Sequence, residues 1–325
     1  MTFQRKAVSV SPSGSNVVRL AVALVVAIVV LCSVGAAWAQ TGHPATKYTF
    51  TSFNPGGCTD CSIYASAKGI DNAGDIVGTY LVSKVYNGYE RLADGTFNSY
   101  YDSAGIGTLG VGINSGGTTI VGEVCAKVSK EMMRPLFGRG GRGCNDGYAL
   151  VGFIYQNGSF TQYEFQGLPG TYINAINDNG VFVGNYYDSS TKLLVGFISN
   201  GKTISYGSSG TSLSSINDNG NIVGWAGSIG IQATLAGKVV KTFQYPGAVS
   251  TSAFGINISK EVVGVYTDSS GVTHGFLYKG GKYTELPNPP GAASDVTYWG
   301  INDSGQLSGS YVDSNNNWWG FLATP

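Results

Sequence analysis

The sequence predicts an all-β fold, a six-bladed β-propeller, from three observations: a composition suited to strands and turns, a segment that recurs six times, and complementary chain ends. The 325-residue chain contains 49 Gly, 20 Tyr and 14 Phe, and only 12% of its residues are charged. Aromatic residues favour strands, glycine favours turns, and no run of Ala, Leu, Glu and Lys follows the N-terminal region to sustain helices. We therefore expect strands throughout the mature chain.

The first 39 residues have the pattern of a secretory signal peptide. Basic residues precede an apolar run from Leu20 to Leu31, and Ala37-Trp38-Ala39 places small residues where a signal peptidase cuts. We expect cleavage before Gln40, with residues 40–46 as a linker. The alternative is an uncleaved membrane anchor, but a span needs roughly 20 apolar residues and this run is shorter. The mature protein is therefore predicted to be secreted, to the extracellular space or the periplasm, without a membrane span.

A segment of about ten residues recurs six times in the mature chain. Its pattern is a small residue, Ile, a turn of Asn, Asp and Gly, and then Ile or Val followed by Val-Gly. The isoleucines that mark the copies are Ile70, Ile113, Ile176, Ile216, Ile256 and Ile301. Their spacings are 43, 63, 40, 40 and 45 residues, and the long one includes an insertion from Cys125 to Cys144. A period of this length fits four short strands with their turns.

Each unit divides into four strands. The first ends at the marker isoleucine, and the next turn uses Asn, Asp and Gly, which tolerate left-handed backbone angles. The second strand carries Val-Gly, and the third carries a glycine and an aromatic residue, as in His274-Gly275-Phe276. In the fourth unit we assign Ala233-Thr234-Leu235 to this position, where the aromatic residue is lost. A Pro-Gly corner such as Pro290-Gly291 follows the fourth strand.

The chain ends decide between an open solenoid and a closed ring. The last unit stops after Gly320-Phe321-Leu322, without a fourth strand. The N-terminal segment Lys47-Tyr48-Thr49-Phe50 matches Lys282-Tyr283-Thr284-Glu285, so the N-terminus supplies the missing strand. Such an overlap joins the ends of a ring, so residues 47–325 are predicted to form six complete blades. The first strand is predicted to be innermost, because a small residue precedes every marker isoleucine and large side chains would collide at the axis.

The repeat closely resembles the HAF-type extracellular repeat, named for a short His-Ala/Gly-Phe motif. His274-Gly275-Phe276 and the Ile-Asn-Asp-x-Gly-x-Ile-Val-Gly segment carry the resemblance, which covers about residues 47–325. The histidine is present in only one unit. The resemblance implies an extracellular location and a propeller-like fold. It implies no established activity, and therefore no catalytic residues.

Four cysteines remain after the leader, an even number that favours disulfides in an exported chain. Three pairings are possible, and the simplest joins Cys58 to Cys61 and Cys125 to Cys144, because each pair closes a local loop. The CxxC motif also fits a redox or zinc site. No second CxxC exists, and His43 and His274 are the only histidines, so we expect no metal and no cofactor.

Candidate ligand-binding residues gather on the rim that holds the turns between second and third strands. Aromatic rings beside carboxylates can stack on sugars and accept hydrogen bonds from their hydroxyls. The candidates are Trp318, Trp319, His274, Tyr187, Asp188, Tyr266, Asp268, Tyr311 and Asp313. Trp318 and Trp319 are the strongest, since the pair departs from the repeat pattern. The alternative is structural, because Asp caps turns and Tyr favours strands.

The insertion from Cys125 to Cys144 is a local basic patch. It includes Arg139 and Arg142 in a glycine-rich run, in a chain otherwise poor in arginine. The patch could hold an anionic glycan or the carboxylates of a protein partner. It could equally be a solvated loop tethered by a disulfide.

Composition and motifs favour a binding protein over an enzyme. The 19 basic and 19 acidic residues cancel, so no overall field attracts nucleic acid or an anionic membrane. The Gly-x-Ser-x-Gly motif of a serine hydrolase is absent from the sequence. A glycosidase needs two carboxylates close together, and the glutamates of the mature chain do not recur at one position of the repeat. We expect a non-catalytic secreted module that binds a glycan or an extracellular protein. The alternatives are a secreted polysaccharide hydrolase or lyase using Asp188, Asp268 or Asp313, and a passive envelope component. The oligomeric state is not indicated.

Overall fold

The protein is a ring of six four-stranded antiparallel sheets in a computed structural model that describes residues 47–55, 65–83, 85–103, 106–127, 148–168 and 170–325. The first blade contains β2 (Ala65–Ile70), β3 (Ile76–Val82), β4 (Val85–Arg91) and β5 (Phe97–Tyr100). The second contains β6 (Thr108–Ile113), β7 (Thr119–Lys127), β8 (Tyr148–Gln156) and β9 (Ser159–Tyr163). The third contains β10 (Thr171–Ile176), β11 (Phe182–Asp188), β12 (Leu193–Ile198) and β13 (Thr203–Ile204).

The remaining blades follow the same order. The fourth contains β14 (Thr211–Ile216), β15 (Asn221–Ala226), β16 (Ile229–Thr234) and β17 (Val239–Phe243). The fifth contains β18 (Ser250–Ile256), β19 (Val262–Thr267), β20 (Thr273–Lys279) and β21 (Lys282–Glu285). The sixth contains β22 (Ala292–Ile301), β23 (Leu307–Asp313), β24 (Trp318–Thr324) and, as its outer strand, β1 (Thr49–Phe53). The six-bladed fold is therefore confirmed.

The N-terminal strand β1 completes the sixth blade, as the matching chain ends predicted. It pairs with β24 in antiparallel register from Thr49 opposite Thr324 to Phe53 opposite Gly320. The buried Phe53 ring packs edge-on against Tyr89 of the first blade, at 6.4 Å between centroids. The closing strand thus bonds to one blade and packs against the next, which links both ends of the ring.

The first strand of every blade is innermost, and these strands contact their neighbours around the ring. Backbone approaches backbone at the small residues before the marker isoleucines. A Cβ atom added at Gly112 would lie 2.7 Å from the carbonyl oxygen of Asn174, and one at Gly255 would lie 3.0 Å from that of Trp299. The predicted crowding at the axis is confirmed, since no larger side chain fits these two positions without displacing a neighbouring strand.

Each first strand carries a β-bulge just before its small residue. The pairing register shifts between Ala67 and Gly69 in the first blade, and the other five blades repeat the shift. The bulge brings a first-strand carbonyl over the Val-Gly of the second strand. A Cβ atom at Gly78 would lie only 1.9 Å from the Ser66 oxygen, so the glycine of the repeat is a steric requirement of the bulge.

The core consists of six apolar clusters, and each contains one buried marker isoleucine. In five of them a fully buried aromatic residue of the third strand joins it, such as Phe276 opposite Gly264. In the fourth blade the residue opposite Gly224 is Ile231. The assignment of Ala233-Thr234-Leu235 to this position was wrong by four residues. Ile229-Gly230-Ile231 is the true equivalent, because it keeps the glycine of the motif.

The turns between first and second strands form a hydrogen-bonded ring at one rim, called here the lower rim. In the third to sixth blades the asparagine after the marker isoleucine donates from Nδ2 to the backbone oxygen of the corresponding residue in the next blade: Asn177 to Asn217 at 3.1 Å, Asn217 to Asn257 at 2.8 Å, Asn257 to Asn302 at 3.2 Å and Asn302 to Asp71 at 2.9 Å. In the second blade Asn114 donates instead to Asp178 Oδ1 of the third blade, at 2.7 Å. In the first blade this position is Asp71, a buried carboxyl whose pKa burial raises to about 6.

Several predictions concern residues outside the described ranges. These are the signal peptide, the linker, Cys58, Cys61, Cys144, Arg139, Arg142 and most of the insertion. Cys125 is disulfide-bonded, and its partner lies outside the described residues, so the pairing with Cys144 stays a prediction. In the part of the chain that the structure describes, no helix has the length and apolar character to cross a membrane.

Candidate functional site

The opposite rim, called here the upper rim, holds the turns between second and third strands and the corners between blades. Asp188, Asp268 and Asp313 each begin such a turn and accept several hydrogen bonds within it. Asp268, for example, accepts from the Ser270 amide at 2.8 Å and from the Val272 amide at 3.0 Å. These bonds hold the pKa of Asp188 and Asp268 below the usual range, and that of Asp313 at about 2.

His274 bridges two carboxylates at the edge of the fifth blade. Its Nε2 lies 3.0 Å from Asp268 Oδ2, and its Nδ1 lies 3.3 Å from Glu285 Oε1. The imidazole stacks on the ring of Tyr266 at 4.9 Å, and the Tyr266 hydroxyl donates to Glu285 at 2.8 Å. The histidine of the repeat motif therefore ties the turn after β19 to the outer strand β21.

Trp319 occupies the equivalent place in the sixth blade. Trp319 is paired with Tyr311 as His274 is paired with Tyr266. Its indole Nε1 donates to Asp313 Oδ2 at 3.0 Å, and its ring packs partly buried against the core. Trp318, also half-buried, pairs with Val312 on the opposite face of the sheet. Ligand binding by the tryptophan pair stays a prediction, and the structure gives Trp319 a role in holding its turn.

Two of the predicted tyrosines lie in the core. Tyr266 is buried and stacks on Tyr245 with 3.7 Å between ring centroids. Tyr311 is buried, and its hydroxyl lies 3.1 Å from the Ser52 hydroxyl of the closing strand. Neither ring is available to stack on a ligand in this conformation.

Tyr187 is different, because it faces a crevice between the third and fourth blades. The structural equivalent of Tyr266 in the third blade is Tyr186, which pairs with Val195 and stacks on Phe165. Successive strand residues point to opposite faces, so Tyr187 turns away from that packing. Tyr187 lines this crevice, whereas Trp319, His274 and Tyr266 are engaged in contacts within their own blades.

The crevice has a volume of about 370 Å³ and opens at the upper rim. Its lining residues come from both blades: Tyr172, Asn185, Tyr187, Lys192, Leu193, Leu194, Gly210 and Trp225. Gly210 admits the neighbouring strand, since a Cβ atom there would lie 3.2 Å from the Leu194 amide nitrogen. The three aromatic residues form its walls, while Lys192 and Asn185 supply polar groups.

The Asn185 side chain and the Lys192 backbone of the crevice are held by hydrogen bonds. Asn185 Oδ1 accepts from Asn174 Nδ2 at 2.7 Å and from the Ser212 hydroxyl at 2.8 Å, which leaves its Nδ2 without a partner among the described residues. Lys192 stands in a left-handed conformation with φ 62°, and its amide donates to the Asp188 carbonyl at 2.8 Å. Burial, with the Glu123 carboxylate nearby, raises the pKa of Tyr172 to about 12, so its hydroxyl stays a donor at neutral pH.

Sequence reasoning found Tyr187 but missed Tyr172, Asn185 and Trp225. These three residues are separated by up to 53 positions and meet only because blades three and four are adjacent. One signal was visible in the sequence. The position after the Val-Gly of the second strand varies widely between units, and Asn185 and Trp225 both occupy it.

No family model matches the sequence, and no curated protein matches it. Among solved structures, the chain is similar to the Aleuria aurantia lectin in complex with Fucα1-6GlcNAc, with 11% identity, a TM-score of 0.48, and coverage of 82% of this chain and 97% of the lectin. It is similar to AofleA from Arthrobotrys oligospora, with 11% identity, a TM-score of 0.48, and 88% of both chains covered. It is also similar to a chain of the mitotic checkpoint complex, with 12% identity, a TM-score of 0.44, and 89% and 97% covered.

Proposed function

We propose that the protein is a non-catalytic carbohydrate-binding module and that the crevice between the third and fourth blades is its binding site. The observation that carries the proposal is the set of three aromatic side chains, Tyr172, Tyr187 and Trp225, around one open cavity of about 370 Å³. Pockets of this size, with apolar walls and a few oriented polar groups, accommodate small ligands.

The crevice offers a sugar both kinds of contact that it needs. The C–H face of a pyranose is apolar and packs on an aromatic ring, while the hydroxyls at its edge require donors and acceptors. Tyr187 and Trp225 supply rings, and Asn185 Nδ2, Lys192 and the Tyr172 hydroxyl supply donors. The Asn185 amide is held by hydrogen bonds to Asn174 and Ser212 before the ligand arrives, which lowers the entropic cost of binding.

The carboxylates of the upper rim support binding over hydrolysis or lysis. A glycosidase needs a carboxylic acid with a raised pKa beside a second carboxylate. Asp188, Asp268 and Asp313 belong to three different blades, and their turns lower the pKa of each. None of the three is suited to donate a proton at neutral pH, and each is engaged within its own turn.

The predicted secretion places this site where polysaccharides occur. The disulfide at Cys125 supports an oxidising compartment, since such bonds are rare in the cytosol. The site itself is formed by strands and short turns, which hold its side chains in place without a loop rearrangement.

A glycan array probed with residues 40–325 tests the proposal, and Tyr187→Ala is the informative variant. We expect saturable binding that Tyr187→Ala weakens about tenfold or more, which corresponds to roughly 1.4 kcal/mol. Tyr101→Ala is the matched control, because Tyr101 is an exposed tyrosine at another corner of the same rim.

Two further comparisons separate the alternatives. If the double variant Trp318→Ala/Trp319→Ala loses binding while Tyr187→Ala retains it, the site lies in the sixth blade and the crevice is the wrong site. Mass spectrometry of each bound glycan detects cleavage. A released product would contradict the non-catalytic function and favour a hydrolase or lyase. An array without any bound glycan would contradict carbohydrate binding and favour an extracellular protein as the partner.

A further inference from the structure

The central channel of the ring holds a second cavity, of about 200 Å³. Each first strand directs the residue at its bulge toward this cavity: Lys68, Val111, Asn174, Ser214, Phe254 and Trp299. Asn72, Ser115, Asp218 and Asp303, in the turns of the lower rim, also line it, so the cavity extends to that rim.

One side of the channel is aromatic. Phe254 and Trp299 come from adjacent blades, and their rings lie 4.7 Å apart between centroids with an interplanar angle of 33°. The indole is fixed, since Trp299 Nε1 donates to the Ser310 hydroxyl at 2.9 Å. The two rings form a preorganised apolar wall across the fifth and sixth blades.

Beside this wall, Lys68 of the first blade brings a positive charge into the channel. Its Nζ lies 5.4 Å from the centroid of the Trp299 ring. Within the described ranges no carboxylate lies close enough to pair with it. The nearby negative charges are Asp218 and Asp303, at the lower-rim end of the cavity, and Glu123, which interacts with Lys68 electrostatically. A partly buried ammonium without a directly paired carboxylate favours an anionic ligand group, which would compensate its charge.

The opposite side of the channel is mainly polar, and it also includes Trp225 of the fourth blade, which lines the crevice as well. Both Nδ2 hydrogens of Asn174 are used, in bonds of 2.7 Å to Asn185 Oδ1 and 2.7 Å to the Leu213 oxygen, so its Oδ1 is oriented as an acceptor. The Ser214 hydroxyl has no partner among the described residues, and Ser115 adds a second hydroxyl nearer the lower rim. In a six-membered ring the third blade faces the sixth, so the amide of Asn174 lies across from Trp299.

We propose that the channel binds one sugar acid of the hexuronate type, with its carboxylate at Lys68, its C–H face on Trp299 and Phe254, and its hydroxyls at Asn174 and Ser214. A neutral hexose would leave the Lys68 charge uncompensated. An aromatic acid would fill the apolar side and leave the amide and hydroxyl side without partners. A single pyranose ring carrying a carboxylate matches all three surfaces and the small volume.

The carboxyl group of Glu123 interacts electrostatically with Lys68, and this interaction gives an independent check on the charge in the channel. Burial raises the pKa of Glu123, and the positive charge of Lys68 partly offsets the rise. Its remaining negative charge opposes an anionic ligand. Glu123→Gln is therefore expected to tighten hexuronate binding about two- to fivefold. The effect is small because solvent screens the repulsion between the Glu123 carboxylate and the carboxylate of the ligand.

Titration of residues 40–325 with four free sugars tests the proposal: glucuronate, galacturonate, glucose and galactose, followed by tryptophan fluorescence and calorimetry. We expect at least one hexuronate to bind with one-to-one stoichiometry and about tenfold more tightly than its neutral counterpart. Lys68→Met is expected to reduce that affinity to the level of the hexose. Tyr187→Ala, which alters the crevice, is expected to leave it unchanged, so the two sites are tested separately.

The Lys68 side chain makes no hydrogen bond in the described part of the chain, so Lys68→Met should fold, and circular dichroism checks it. As a second measure on the native protein, raising the salt concentration from about 0.05 to 0.5 M should weaken hexuronate binding and leave hexose binding unchanged. The proposal is overturned if neither hexuronate saturates, if the neutral sugars bind equally well, or if Lys68→Met or added salt leaves the hexuronate affinity unchanged.

Discussion

The third-strand glycine of the fifth blade, Gly275, is a site where one methyl group should destabilise the ring. A Cβ atom there would lie 2.3 and 2.6 Å from two carbons of the Tyr298 ring, which belongs to the next blade. Tyr298 is fully buried, and its hydroxyl donates to the Pro287 carbonyl. Gly275→Ala therefore forces the ring to move by about 1 Å in a packed core, where carbon atoms normally approach to roughly 3.5–4.0 Å.

The expected cost follows from the overlap and the hydrogen bond. Inserting a carbon into a packed core costs roughly 1–3 kcal/mol, and weakening the Tyr298 hydrogen bond adds about 1 kcal/mol. Alanine recovers about 0.5–1 kcal/mol relative to glycine within a strand. Gly275→Ala should therefore lower the free energy of unfolding by about 1–3.5 kcal/mol, measured by urea denaturation with fluorescence and circular dichroism.

Gly230→Ala is the matched control, because Gly230 has the same place in the fourth blade. Its neighbour from the next blade is Ala253 in place of a tyrosine, and a Cβ atom at Gly230 would be 3.1 Å from Phe243 Cβ and 3.4 Å from the Ala253 nitrogen. We expect a change within about 1 kcal/mol, since the strand gain offsets this closer contact. Equal effects of the two substitutions, or no loss of stability in Gly275→Ala, would refute the proposed packing between blades.

Two other substitutions test the rims and the closure of the ring. Asp71→Asn supplies an Nδ2 donor at the one marker position of the lower rim that lacks asparagine, and it should stabilise the protein at pH 7.5. The carboxyl of Asp71 has a pKa of about 6 in the folded protein and about 3.8 in the unfolded chain, so the free energy of unfolding of the native protein decreases as the pH rises from about 4 to 6, whereas that of the variant does not. Thermal melts at a series of pH values measure this difference. Phe53→Ala should lower the free energy of unfolding by about 3–5 kcal/mol, since the buried ring packs against the first blade; urea denaturation checks it, and a loss below 1 kcal/mol would contradict closure through β1.

The fold was predictable from the sequence because the repeat encodes its own geometry. The marker isoleucines, the small residues before them and the matching ends at Lys47 and Lys282 specify the number of blades, the innermost strand and the closure. The one misassigned segment was in the fourth unit. Ile231 replaces the aromatic residue there, so the glycine at Gly230 was the only remaining marker of the register.

The candidate sites were less predictable, and the reasons are physical. Strict alternation would place Lys68 and Trp299 on the same face as the marker isoleucine two positions later, in the core. The bulge between Ala67 and Gly69 changes that phase and directs Lys68 to the channel. The crevice required knowledge of which blades are adjacent and of which face Tyr187 occupies. Sequence reasoning instead grouped Tyr187 with Tyr266, whose structural counterpart is Tyr186.

The most direct test of the proposed function is a crystal structure of residues 40–325 with a glycan selected by the array. We predict density for a sugar ring in the crevice between the third and fourth blades, stacked on Tyr187 or Trp225 and within hydrogen-bonding distance of Asn185. A glycan bound at Trp318 and Trp319 with the crevice empty would contradict the assignment.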